Sequence, residues 1–294
     1  KDSGKPWFMK IVPTISHYEE GAVTWEGSKE SVAYSTTLAS EMPAHPFLVE
    51  QMTSFQTDNK LYLMMEWLGG GELFSVLRRT RHGRFDEHEA LFYTAQLVLG
   101  LEHMHQNKMI YRDLKPENLL LSADGNLKIT QRTPPETQWS GPREFSIVSG
   151  HSMPEYLAPE ILKGLPYSTK ADSWTVGTIL FHMLVGQPPF HHPNVHNLFA
   201  AIIGEEVTYP PFLSTEVTTL LKGLLHRDVK KRLSLKAVKG QDWFSGLDWN
   251  KLLRLEYTAP LKPFRRQDLN FGAPARRLTP QRDNANAANA AAAP

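Results

Sequence analysis

Apolar residues fall in short bursts through the first third of the chain and at helical steps beyond it. Trp7-Phe8-Met9-Lys10-Ile11-Val12 and Leu61-Tyr62-Leu63-Met64-Met65 predict strands. The polar stretch from His17 to Ser40 predicts one weakly patterned helix at most. Gly69-Gly70-Gly71 predicts a flexible joint. After it, Leu91, Ala95, Leu97, Leu101 and Met104 follow helical spacing and predict an amphipathic helix over 87–105. Val176 to Leu184 is nearly all apolar, as in a helix buried inside a large domain. Strands, a glycine joint and then helices predict an α+β chain with a small sheet-rich lobe hinged to a larger helical one.

Composition narrows the function. The 294 residues carry a net charge of +1, which excludes a general polyanion binder. A hydrophobic content of 41% supports a real core. The absence of cysteine excludes disulfides, thiolate chemistry and Cys-based zinc sites, and fits a reducing compartment. His182 interrupts the longest apolar run, Val176 to Val185, so no membrane span is expected. Lys1-Asp2-Ser3-Gly4 is neither an initiator Met nor a signal peptide, and the sequence is expected to begin partway through a longer protein. Residues 262–283 carry +4, which reads as a solvated tail or as a segment docked across the domain. Asn284 to Pro294 is low complexity.

Tyr111-Arg112-Asp113-Leu114-Lys115-Pro116-Glu117-Asn118 matches the catalytic loop of protein kinases, with the apolar run Leu119-Leu120-Leu121 directly after it. Ala158-Pro159-Glu160 stands about forty residues further on, the spacing seen in that family. His45-Pro46-Phe47, Met65-Glu66-Trp67, Gly70-Gly71-Glu72-Leu73-Phe74, Pro154-Glu155-Tyr156-Leu157, Gly186-Gln187-Pro188-Pro189-Phe190 and Asp248-Trp249 extend the match. Over residues 5–260 the chain resembles a eukaryotic protein kinase domain, nearest to the AGC group of Ser/Thr kinases around the cyclic-nucleotide-dependent kinases. The resemblance implies a protein-kinase-like two-lobed fold. Residues 1–68 would be the sheet-rich N-lobe, incomplete at its start and lacking the glycine-rich loop. Residues 69–257 would be the helical C-lobe. Residues 258–294 would be an extended basic tail, similar through Asn270-Phe271 to the AGC extension.

The resemblance also implies roles. Phosphoryl transfer asks a protein for positioning and charge neutralisation more than for covalent chemistry. Asp113 stands where the family has the base that accepts the substrate hydroxyl proton. Lys115 stands where a cation offsets γ-phosphate charge, and Asn118 where a metal is ligated. The same residues organise the loop, and Asp172 is expected to hydrogen-bond its backbone. Lys10 matches the strand lysine that grips phosphates, or is an ordinary strand lysine with its head in solvent. Glu66, Leu68, Glu72 and Leu120 match the nucleotide pocket. Glu160 and Arg232 match a buried pair that braces the large lobe.

Several positions depart from the family pattern. Phe8 replaces a small alanine and is expected to fill the adenine space against Leu120, unless a shifted strand turns it elsewhere. The partner acid of Lys10 should lie near Thr36, where there is none. Glu30 and Glu41 would each need a helix shift. Gln131-Arg132-Thr133 stands where the family has Asp-Phe-Gly, so no metal site is expected. Ser146 or Ser149 could take a phosphate neutralised by Arg112, or be plain loop serines. His182 stands where an acid would select substrate arginine. The resulting expectation is a pseudokinase: a binding, scaffold or allosteric module that needs no cofactor. The alternatives are an active AGC-type Ser/Thr kinase using ATP and Mg²⁺, and a nucleotide sensor. The expected partners are proteins, not nucleic acid. The expected setting is cytoplasmic, within a longer chain or an assembly associated with the cytoskeleton or another complex.

Overall fold

A computed structural model describes residues 7–13, 42–57, 60–112, 114–130 and 153–261. Strands β1 (Trp7–Pro13), β2 (Gln51–Thr57) and β3 (Lys60–Glu66) form an antiparallel sheet in the order β1-β3-β2. Phe8 pairs with Met65 and Lys10 with Leu63. Burial alternates along β3, where Leu63 and Met65 are buried, whereas Phe8, Met9 and Ile11 of β1 are all exposed. The helix sought between His17 and Ser40 lies outside the described residues.

Beyond Gly71 the regular structure among the described residues is helical apart from one small sheet. The helices are α1 (Leu73–Leu77), α2 (Glu87–Gln106), α3 (Pro159–Leu162), α4 (Lys170–Val185), α5 (Val195–Gly204), α6 (Thr215–Leu224), α7 (Leu235–Val238) and α8 (Trp249–Leu253). Strands β4 (Leu119–Leu121) and β5 (Leu127–Ile129) form an antiparallel pair. Helix α2 starts at a capping box: Asp86 accepts from the Glu89 amide at 2.8 Å, and Glu89 accepts from the Asp86 amide at 3.0 Å. The expected apolar stripe on α2 is in fact burial on every side from Phe92 to Leu101, because α4 packs on one flank and β5 on another. Its buried Gln96 is satisfied by bridging to Asn126 Oδ1 at 2.8 Å and the Leu127 amide at 2.7 Å. Helix α4 is buried nearly throughout and ends at Gly186 with φ 89°, a left-handed stop.

The sheet and the helical body meet through backbone. The Val49 amide donates to Ile129 O and the Ile129 amide to Phe47 O, both at 2.9 Å. Phe47 and Leu48 are thereby drawn into the core that contains Trp174, Leu101 and Ile129. His45 stacks on His103 of α2 with ring centroids 4.7 Å apart. Burial, then His103 and then Lys128, push the His45 pKa down to about 4. The triple glycine serves close approach. The Gly70 amide donates to Leu121 O, the Leu121 amide donates to Gly71 O, and a Cβ on Gly70 would sit 2.4 Å from Ser122 O. No side chain fits there, so glycine is required by contact with β4 as well as by the turn. Glu160 and Arg232 form the expected buried bidentate pair at 2.6 and 2.8 Å.

Candidate functional site

The loop from Tyr111 to Asn118 is braced from beneath. Asp172 on α4 is fully buried and accepts from the Tyr111 amide at 2.9 Å and the Arg112 amide at 2.7 Å, as its sequence position implied. His105 Nε2 lies 2.7 Å from the same carboxylate. Arg112 takes φ 66°, a strained value for a side-chain-bearing residue. A buried carboxylate gripping two successive amides holds that geometry. Pro116–Asn118 then forms a single 3-10 turn with proline at its start.

Lys115 is 6% exposed and Asn118 is fully buried at this turn. The Thr130 amide donates to Asn118 O at 2.9 Å, and the Tyr111 hydroxyl donates to Thr130 O. Thr130 is therefore fixed from both sides beside Asn118, and the next residue in sequence is Gln131. Tyr111, whose identity looked uninformative in the sequence, is the side chain that ties the loop to this point. Asp113, Gln131, Arg132, Thr133, Ser146 and Ser149 lie outside the described residues.

On the nucleotide side, Lys10 stands on β1, and Glu66, Leu68 and Glu72 follow along β3 and the glycine joint. Glu72 bridges by backbone to Leu120, bringing these two together. The Glu72 carboxylate accepts from Ser75 Oγ at 3.1 Å. Glu66 has a part that sequence did not suggest. Its carboxylate receives Lys128 Nζ at 2.6 Å and the Glu50 amide at 2.9 Å, locking the end of β3 to β5. Phe8 is 45% exposed, and its ring is tilted against Trp67 at 6.5 Å between centroids. A ring half in solvent is one that a planar ligand can displace or stack against.

His182 is neutral and satisfied locally. The Tyr156 hydroxyl lies 2.6 Å from its Nδ1, and Phe74 meets its ring edge-on at 4.6 Å. Burial, then the Arg78 cation, lower its pKa to about 4. Burial, then Glu155 and Glu117, raise that of Tyr156. A neutral imidazole accepting from a phenol neither repels nor attracts a charged ligand strongly.

The residues present suit a nucleoside triphosphate with its metal. Lys115 and Asn118, both buried on the same turn, carry an ammonium and an amide oxygen, the group types that phosphate and a hard cation take. Among the described residues no group of three or more His, Cys, Asp or Glu could hold a metal ion.

Comparison with known proteins agrees with this geometry. Residues 2–244 match the protein kinase domain. Over 223 residues the chain is 41% identical to "Protein kinase 2" of Dictyostelium discoideum, covering 75% of this chain and 46% of that protein. It is 35% identical over 264 residues to the RAC family serine/threonine-protein kinase homolog of the same organism, covering 90% and 57%. It is 35% identical over 229 residues to cAMP-dependent protein kinase type 3 of Saccharomyces cerevisiae, covering 75% and 55%. The chain spans about half the length of these curated relatives. The expectation that no cofactor is needed is overturned by these matches. Protein kinases work through ATP and magnesium.

Proposed function

This chain belongs to the protein kinase family, and from that premise we propose that it is an AGC-type Ser/Thr kinase domain transferring the γ-phosphate of ATP to protein hydroxyls. The observation that carries the proposal is the braced loop. Asp172 holds the Tyr111 and Arg112 amides, and Lys115 and Asn118 are buried beside Thr130. ATP, with its magnesium, supplies the phosphoryl group. Asp113 accepts the proton of the substrate hydroxyl on a carboxylate oxygen. Lys115 offsets phosphate charge with its ammonium, and Asn118 and Gln131 offer amide oxygens to the metal. Lys10 binds phosphate, Glu66, Leu68 and Leu120 line the base, and Glu72 borders the sugar. The units proposed are an N-lobe over 1–68, a C-lobe over 69–257 and a tail over 258–294. Protein substrates and a cytoplasmic setting go with this reading. No helix among the described residues is long and apolar enough to cross a membrane.

Replacing a carboxylate by the Gln131 amide weakens the metal site without emptying it. One unit charge at 4 Å is worth about 4 kcal/mol at an effective dielectric of 20, or about a thousandfold in rate. A second reading, a binding or allosteric module with impaired transfer, is favoured by Gln131-Arg132-Thr133 and by the lack of an acid near Thr36. Transfer of labelled γ-phosphate to a mixed-serine peptide library across a magnesium titration separates the two. Slow transfer that rises with magnesium, disappears in Asp113→Ala and gains about a thousandfold in Gln131→Asp supports catalysis. A rate equal to that of Asp113→Ala at every magnesium concentration supports the second reading.

A further inference from the structure

Between α1 and α2 the chain reads Arg78-Arg79-Thr80-Arg81-His82-Gly83-Arg84. From Leu73 to Phe85 there is no acidic residue, so four arginines stand together in a chain of net charge +1. Arg78, Arg79, Arg81 and His82 are exposed. The loop is held rigidly on the end of α4. The Phe85 amide donates to Met183 O at 2.8 Å, and a Cβ on Gly186 would lie 2.9 Å from Gly83 O. Part of the charge serves the fold: Arg84 lies over the Phe212 ring at 3.9 Å, and cations suit a helix C-terminus. That account does not extend to Arg81 and His82, which have no hydrogen-bond or ion-pair partner among the described residues. The Arg78 guanidinium donates to Ser75 Oγ at 2.9 Å, and Ser75 Oγ donates to Glu72 at 3.1 Å. A chain of hydrogen bonds therefore links the cationic loop to Glu72, whose backbone bridges to Leu120.

We propose that the Arg78–Arg84 loop is a docking surface for an acidic, Asp/Glu-rich segment of the protein substrate, outside the residues that flank the acceptor hydroxyl. This rests on the kinase reading for the identity of the substrate, but its test reads binding rather than turnover. Guanidinium forks pair bidentately with carboxylates, and a rigid cationic rim raises the encounter rate and chooses among partners more than it adds affinity. Exposed pairs contribute modestly, so the expected gain from several is about fivefold to twentyfold at low salt.

The test uses fluorescence anisotropy with labelled serine peptides that share one core. Some carry four glutamates and others four glutamines, at the N-terminus in one pair and at the C-terminus in the other. Tighter binding of a glutamate peptide than of its glutamine twin, lost at high salt and lost in Arg79→Glu/Arg81→Glu, supports the proposal. Arg81→Ala with an unchanged melting temperature should lose part of the preference, which guards against a folding artefact in the double variant. Equal affinity within both pairs overturns it, as does a preference that survives both variants. A preference no greater than that for single-stranded DNA of equal charge also overturns it, since the loop would then be a general polyanion patch. Failure of phosphotransfer with the binding preference intact would count against the kinase reading alone.

Discussion

Arg232 has essentially no exposed surface, and its guanidinium is consumed by Glu160, the His226 carbonyl and the Lys170 carbonyl. Removing it strands a buried carboxylate, so Arg232→Met should lower stability by about 3–5 kcal/mol, whereas Glu160→Met/Arg232→Met should cost much less. Urea unfolding of the three proteins checks this, and equal losses in the single and double variants would contradict it. His182 gives a pH signature. Its folded pKa of about 4 lies below the ordinary 6.5, so the unfolded chain binds the extra proton between those values. Its contribution is fully present above pH 6.5 and is lost as pH falls toward 4, with a slope of about 1.4 kcal/mol per pH unit. His45 shifts in the same direction, so the whole protein should lose melting temperature on acidification. His182→Gln, which can still accept from Tyr156, should lose less over the same interval. Melting curves at pH 4.5 and 7 measure the difference, and identical pH dependence in the two proteins would contradict the assignment.

Among the elements, the joint at Gly70 couples sheet to helices by contact. Gly70→Ala would drive a methyl into Ser122 O and Leu121 O, backbone that cannot rotate away. A loss of about 1–3 kcal/mol is expected, by analogy with overpacking. Nucleotide affinity should fall with it, because Glu66 to Glu72 would shift. Thermal shift with and without ATP checks both, and a variant as stable as the parent would show that β4 yields. Helix α2 and strands β1 and β3 were legible because apolar spacing survives whatever packs on them. Strand β2 was not: Gln51-Met52-Thr53-Ser54-Phe55-Gln56-Thr57 carries two apolar residues, and its pairing comes from β3 and not from its own pattern. The all-round burial of α2 was also hidden, since spacing reports one face and not how many neighbours surround a helix. At the site, Asp172, Glu160 and Arg232 could be read because the motifs around them fix the register. The structural roles of Glu66 and Tyr111 could not, because a side chain's partner 62 or 19 residues away along the chain leaves no local trace.

At the scale of the molecule, the large lobe is a rigid platform. It holds a strained, amide-gripped loop beside Asn118, and under the proposed function Gln131 is its chemically weak point. Read alone, that substitution implies a module without a cofactor, an expectation that the kinase relatives overturn. Phe8 belongs to the same question. Its ring is exposed against Trp67, and under the proposed function Phe8→Ala should tighten ATP binding severalfold if the ring must be displaced, as isothermal titration would read. The most direct measurement is phosphotransfer from γ-labelled ATP by the unmodified protein over a range of magnesium concentrations, run beside Asp113→Ala and Gln131→Asp. The account predicts slow transfer that climbs with magnesium, vanishes without Asp113 and accelerates by about a thousandfold in Gln131→Asp. No transfer at any magnesium concentration by either the unmodified protein or Gln131→Asp would contradict it.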